Sequence, residues 1–304
     1  MSAETETRDK APEPITEALI ETGLSAAEVP LRRQVKLWAR HTNEKSDVAS
    51  DLMGVLRALH RAVPEDRPLR SLSIGSSDEP QFRLLSAASR GGLWLFDADS
   101  SALDVVRARI GRQMLDGVHV VEGDYTADLF SPAAARRTCA ERLGNDTFDL
   151  IVLHHALYYC DATDWPSFAA TLYEVMLRSP GAIHMALMSS TTTEPYTTTW
   201  LYNHFAHKFF GHRNTQNLLA LQEQLAAQPL FANAQFTQRT QSVAFRCDDF
   251  FTFMAVVWMI LLYPDGHPYN EAQRREITAF VAEHFWAPKR PLKQVQDYLT
   301  IHKP

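Results

Sequence analysis

Val48, Leu52, Leu56, Leu59 and Val63 recur at three- and four-residue spacing, which predicts an amphipathic helix ended by Pro64 and its neighbouring charges. The pattern then changes to five short apolar runs: Ser71–Gly75, Leu93–Asp97, Val118–Glu122, Phe148–His154 and Ala182–Met188. Their length suits buried strands. Between the second and third, Leu103, Val106, Ile110 and Met114 mark one helix face. Between the fourth and fifth, Asp164 reads as an N-cap and Pro166 falls in the first turn. Phe168, Leu172, Val175 and Met176 form the stripe to be buried. Strand and helix in alternation predict a parallel sheet covered on both faces. Right-handed crossovers make it doubly wound and Rossmann-like.

The rhythm breaks after Thr191. Residues 196–212 are rich in aromatics and histidine, and helices are expected over about 216–228, 249–262 and 270–286. Phe231–Phe245 reads as an extended hairpin and Gln296–His302 as a last strand, both expected at the sheet edge. Residues 1–14 are polar and charged and read as a disordered tail. Residues 15–304 read as one domain: helices over 15–69, an alternating core over 70–190, and a cover with edge strands over 191–304.

Composition narrows the functional classes. The 304 residues are 45% hydrophobic and carry a formal net charge of −6. That balance argues against a nucleic-acid backbone or an anionic membrane as main partner and suits a small neutral or cationic substrate. Cys139, Cys160 and Cys247 form no C-x-x-C pair, as expected in a reducing cytoplasm. The longest apolar run, Phe253–Tyr263, is well short of the roughly 20 residues of a membrane span. His204, His207 and His212 have neither cysteines nor paired acids near them, so no metal is expected.

Ligands of a doubly wound sheet bind beyond the carboxyl ends of its strands. After the first strand comes Ser73-Ile74-Gly75-Ser76-Ser77-Asp78-Glu79, whose small residues Gly75, Ser76 and Ser77 admit a ligand close to the backbone. The second ends in Phe96-Asp97-Ala98-Asp99, where the Asp97 carboxylate, with Ala98 beside it, can accept both hydroxyls of a ribose. The third ends in Gly123-Asp124-Tyr125, with an acceptor for an adenine amine. The fourth ends in His154-His155, then Ala156-Leu157-Tyr158-Tyr159. Singly, Gly75 reads equally as a turn, Asp97 and Asp99 as helix caps, and Asp124 as a solvated acid. Their order together points to a nucleoside-containing cofactor.

With these residues in place, Arg70 to Ser189 resembles the class I S-adenosylmethionine-dependent methyltransferases. The resemblance implies an α/β, mostly parallel seven-stranded sheet with an N-terminal helical lid and helical C-terminal additions. S-adenosylmethionine is the implied cofactor, held by Gly75, Ser76, Ser77, Asp97, Ala98, Asp124, Tyr125 and His154. In one departure, the family's first loop has several glycines and an acid near its start, whereas this loop has one glycine and Ser73 in the acidic place.

Shorter patches are similar to the histamine N-methyltransferases. These are Arg40-His41-Thr42-Asn43-Glu44, Ser73-Ile74-Gly75, Ala156–Tyr159 and, more loosely, Thr199-Trp200-Leu201-Tyr202. By this likeness Glu44 stands at a substrate-contacting glutamate and His155 at a glutamine that touches the substrate ring. The change to histidine points away from histamine itself. The implied reaction is methyl transfer to a small soluble acceptor, with an amine nitrogen favoured by Glu44 and oxygen or sulfur as alternatives. Glu44, His155 and Tyr158 are the expected catalytic residues. Tyr159, Tyr196 and Trp200 join Glu44 and His155 around the substrate, where ring faces attract a cation. A cofactor-binding protein without transfer activity is the second class. A nicotinamide oxidoreductase is the third, disfavoured by the missing G-x-G-x-x-G.

Overall fold

Each of the five apolar runs forms a strand in the computed structural model, which describes residues 15–75, 77, 79–145, 147–262 and 266–304. The expected tail over 1–14 lies outside the described residues. The strands are β1 (Arg70–Ile74), β2 (Gly92–Asp97), β3 (Val118–Glu122), β4 (Phe148–His154), β5 (Leu177–Met188), β6 (Gln235–Phe245) and β7 (Leu292–Lys303). They form one seven-stranded sheet in the order β3-β2-β1-β4-β5-β7-β6. The pairs β1–β2, β2–β3, β1–β4 and β4–β5 are parallel. β7 runs antiparallel to β5, from Gly181 opposite Lys303 to Met188 opposite Gln296. Strand order reverses between β1 and β4, so their carboxyl ends mark the switch point where such sheets bind ligands.

The helices are α1 (Glu17–Ser25), α2 (Leu31–His41), α3 (Glu44–Ala62), α4 (Phe82–Ala88), α5 (Ser100–Gln113) and α6 (Tyr125–Asp128). Then come α7 (Pro132–Arg142), α8 (Trp165–Thr171), α9 (Thr198–Phe210), α10 (Leu218–Ala226), α11 (Phe250–Leu262) and α12 (Glu271–Val281). The chain divides into two compact units. One holds the residues up to Thr42 with Pro195–Arg213 and Ala244–Lys293. The other holds Asn43–Glu194, Asn214–Val243 and Gln294–Pro304. The division falls just before α3.

Within the second unit the sheet is covered on both faces, as successive strand residues point to opposite sides. On one face Leu150 and Val152 of β4 join Leu93 and Leu95 of β2 beneath Leu52, Leu56 and Leu59 of α3 and its C-cap Val63. On the other, Ile151 and Leu153 pack with Leu72, Ile74, Phe168, Leu172 and Met176. Burying each such side chain is worth about 1.5–3 kcal/mol. Among the described residues no helix is long and apolar enough to cross a membrane.

Four local expectations are corrected. Met114 is not on the buried face of α5. It is the left-handed cap that reverses the chain into β3 and is 84% exposed. Asp164 occupies the N-cap position of α8 but makes no side-chain capping bond. Residues 231–245 form no hairpin, because a short turn at Pro229–Phe231 leads into the single long strand β6. Only β6 is an edge strand of the C-terminal pair, since β7 is inserted between it and β5.

Candidate active site

The loop after β1 turns sharply. Gly75 has φ +67°, and a Cβ there would lie 2.8 Å from the Ala156 Cβ, so the position accepts no side chain. Ser77 and Glu79 also adopt left-handed backbone, φ +54° and +49°. Such residues cost on the order of 1–3 kcal/mol each and persist where the surroundings hold them. Two carboxylates do so here. The Ser77 amide donates to Asp97 Oδ2 at 2.8 Å. The Gln81 amide donates to Glu79 Oε1 at 2.8 Å, while the Ser73 hydroxyl donates to Glu79 Oε2. Glu79 is 1% exposed. A buried acid therefore does reach the start of this loop, from six residues downstream of Ser73. Glu79 is a site residue beyond those expected from the sequence, and an acid closing a glycine-poor loop is its signal. Ser76 lies outside the described residues.

The ends of β2 and β3 adjoin this loop. Asp97 is half-buried, and its Oδ1 accepts from the Asp99 amide at 2.8 Å. Each carboxylate oxygen keeps a second lone pair for a ligand. Ala98 beside it is exposed. Asp124 is exposed and caps α6, its Oδ1 accepting from the Thr126 amide at 2.9 Å and hydroxyl at 2.7 Å. Tyr125 is buried, donates its hydroxyl to the Ala156 carbonyl at 2.8 Å and stacks on Phe168. Burial pushes its phenol far above the ordinary range. These residues suit an adenosyl group: the Gly75 cradle would be filled by any Cβ, and a half-buried carboxylate at the end of β2 matches vicinal hydroxyls.

Two neighbouring histidines at the end of β4 have opposite environments. His154 is buried against His184 of β5, ring centroids 5.1 Å apart, with neither ring nitrogen hydrogen-bonded. Burial, followed by the two adjacent histidines, pushes its pKa well below the ordinary imidazole value. The structure thus places it in the core beneath the edge. His155 adopts φ +55° and turns out of the strand. Its Nε2 lies 3.1 Å from Glu44 Oε1, and its Nδ1 lies 3.1 Å from the Tyr158 hydroxyl. Burial opposes the imidazolium, but the Glu44 carboxylate beside it outweighs burial and raises the pKa, with the Gln296 amide acting in the same direction. Tyr158 accepts from the Met188 amide at 2.8 Å and stays protonated, its pKa raised chiefly by burial. It can therefore donate to Nδ1 when His155 loses that proton.

Glu44 opens the first turn of α3. With Asp47 and Asp51 it forms a column of acids at helical spacing. Each acid meets a partner from the end of the sheet. Gln294 Nε2 donates to Glu44 Oε1 at 3.1 Å, Tyr298 to Asp47 at 2.6 Å and Arg239 to Asp51 at 3.0 Å. Gln294, Gln296 and Tyr298 alternate along β7 and so share one face. The two glutamines are a further part of the site that the sequence analysis missed, and that period of two was their signal.

Tyr159 is 59% exposed in the turn after β4. Tyr196 and Trp200 belong to the other unit, with ring centroids 5.2 Å apart. The Arg290 guanidinium sits 3.8 Å from the Tyr196 centroid, so a protein cation already covers that ring. Trp200 stacks on His204 and Phe280.

No protein-family model matches the chain. No curated protein matches its sequence. Solved structures do match in fold. The YcgJ protein from Bacillus subtilis has a TM-score of 0.50 at 13% identity, over 83% of this chain and 98% of its own. A Bacillus halodurans C-125 protein that carries the provisional name methyltransferase has a TM-score of 0.49 at 13% identity, over 82% and 98%. The [4+2]-cyclase SpnF has a TM-score of 0.46 at 12% identity, over 82% and 80%. These likenesses bear on neither a methyl acceptor nor the narrower resemblance to histamine N-methyltransferases. The sheet order, the switch point and the likeness to the YcgJ protein together give the chain a doubly wound, Rossmann-like fold, as the resemblance to the class I S-adenosylmethionine-dependent methyltransferases implies.

Proposed function

We propose that the protein transfers a methyl group from S-adenosylmethionine to the nitrogen of a small soluble amine. The observation that carries this reading is the pairing of Glu44 with His155 at the switch-point edge that also presents Gly75 and Asp97. In the reading, Gly75, Ser77 and Asp97 hold the cofactor, with Ala98, Asp124 and Tyr125 around its base. Bound there, the sulfonium supplies an activated methyl group. Glu44 replaces its imidazolium partner with the ammonium group of the acceptor and takes up a proton so that the nitrogen lone pair is free. His155 orients that nitrogen and shares the proton, and Tyr158 fixes the ring through Nδ1. No covalent intermediate on the protein is needed. The acidic chain and the carboxylate column suit a cationic metabolite, and a cytoplasmic setting with no nucleic-acid or membrane partner belongs to the same reading.

The test is transfer of labelled methyl across parallel panels of amines, phenols and thiols. Transfer to amines that falls with Glu44→Gln supports the reading, and transfer only to phenols or thiols refutes the choice of nitrogen. A second reading, cofactor binding without transfer, is favoured by one observation. Both Asp97 oxygens are already engaged by the Ser77 and Asp99 amides. Tight binding of S-adenosylhomocysteine with no transfer across all three panels would select it.

A further inference from the structure

We propose that Gln81 couples occupancy of the loop after β1 to the setting of the Glu44–His155 pair, so that a loaded loop fixes the acceptor carboxylate before the acceptor arrives. The inference rests on the proposed cofactor site and goes beyond it, to the order in which two ligands are received.

The connection is continuous. The Ser73 hydroxyl donates to Glu79, whose other oxygen accepts from the Gln81 amide at 2.8 Å. The Gln81 side chain, 4% exposed, donates from Nε2 to the Lys45 carbonyl at 2.9 Å. Lys45 lies in the first turn of α3, one peptide from Glu44. Glu44 in turn reaches His155. Each link between the first loop and the pair is thus a hydrogen bond or a peptide unit. The Gln81 end of this part-buried link is shielded from water, so displacement of the loop is passed along it to Lys45.

The loop end of the path has reason to move. Ser77 and Glu79 are held in left-handed backbone by the Asp97 and Glu79 carboxylates. A ligand that takes bonds from either carboxylate redistributes the contacts that set the loop, and with them the position of Gln81. At the far end, the groups facing His155 are Glu44 from α3, Tyr158 from the turn after β4, His154 beside it and the neutral Gln296 from β7. Glu44 is the one formal charge among them. Fixing it against the ring favours the imidazolium, and by reciprocity the imidazolium favours the loaded loop. Gln81 touches neither reacting group and acts as a positioning residue.

S-adenosylhomocysteine is the probe, titrated calorimetrically into the full chain between about pH 5.5 and 9, where imidazole changes charge. The wild type should bind it about threefold or more tightly on the acid side, and Gln81→Met should bind it with the same affinity across the range. A second measurement needs no variant. With ring-labelled histidine, identified by comparison with His155→Gln, the wild-type His155 pKa should rise by about half a unit at saturating S-adenosylhomocysteine. Binding with no pH dependence, a dependence that survives in Gln81→Met, or an unmoved His155 pKa overturns the coupling and leaves the cofactor site standing. Absence of binding at every pH overturns the cofactor site and the coupling together.

Discussion

Glu44 Oε1 sits 3.1 Å from His155 Nε2, although the two residues are brought together by unrelated devices. Glu44 is placed by the first turn of α3, and His155 by a left-handed backbone step at the end of β4. The carboxylate is what raises the imidazole pKa against the effect of burial. Glu44→Gln keeps the shape and removes the charge, so the His155 pKa should fall below its wild-type value. In activity assays the limb assigned to His155 should move to lower pH, and KM for an amine acceptor should rise. His155→Ala should lower turnover by about a hundredfold or more. A pH profile unchanged by Glu44→Gln would remove the pair from the chemistry.

Gly75 and Ala156 pack across the switch point. Gly75→Ala places a methyl group 2.8 Å from the Ala156 Cβ and asks alanine to hold φ +67°. The backbone cost alone is about 1–2 kcal/mol. We expect weaker S-adenosylhomocysteine binding and a lower Tm. Ala156→Gly in the same chain should recover the part due to the clash and leave the backbone part. Calorimetry and thermal melts of both variants check this; full recovery, or none, would contradict it.

Asp97 staples Ser77 and, in the proposed reading, would also accept the ribose hydroxyls. Asp97→Ala should weaken S-adenosylhomocysteine binding by the value of a charge-assisted hydrogen bond, about 1.5–3 kcal/mol. Asp124→Ala should weaken it less. Its measurable cost should be the lost cap of α6, about 1 kcal/mol of stability. Equal effects on binding from the two variants would place the ribose elsewhere.

Stability should fall in mild acid. His184 is fully buried and its pKa is lowered to about 4, chiefly by burial, and His154 is lowered too. A base whose folded pKa is depressed contributes stability above its unfolded pKa of about 6.5 and loses it as pH falls. For His184 the shift corresponds to roughly 3 kcal/mol, spent between about pH 6.5 and 4. His155 has the opposite sign: its raised pKa contributes below the unfolded value and fades as pH rises through the folded one. Urea unfolding at pH 7.5 and 5 should show a net acid loss. Glu44→Gln should make that loss larger, because it removes the favourable His155 contribution.

The parallel core was legible because each of its strands is a short apolar run between helical patterns, and the core admits few other arrangements. Gly75 and Asp97 were legible as positions after strands. The opposite surroundings of His154 and His155 depend on the left-handed backbone step at His155, which the residue types do not announce. Other features depended on tertiary context. Glu79 folds back on Ser73 with Ser77 and Glu79 itself in left-handed backbone, which serine and glutamate do not advertise. Gln296 matters through its register opposite Met188 of β5, set by an antiparallel pairing to a strand over a hundred residues earlier, and Gln294 lies two residues before it on the same face of β7. Met114 continued a helical apolar pattern past the point where the chain had to turn.

Calorimetric titration of S-adenosylhomocysteine into wild type and Asp97→Ala, with NAD as comparison, tests the central claim most directly. The account predicts saturable one-to-one binding to wild type, affinity at least about tenfold weaker in the folded variant, and no heat with NAD. Wild type that binds no S-adenosylhomocysteine, or a folded Asp97→Ala protein that binds it as tightly as wild type, would contradict the account.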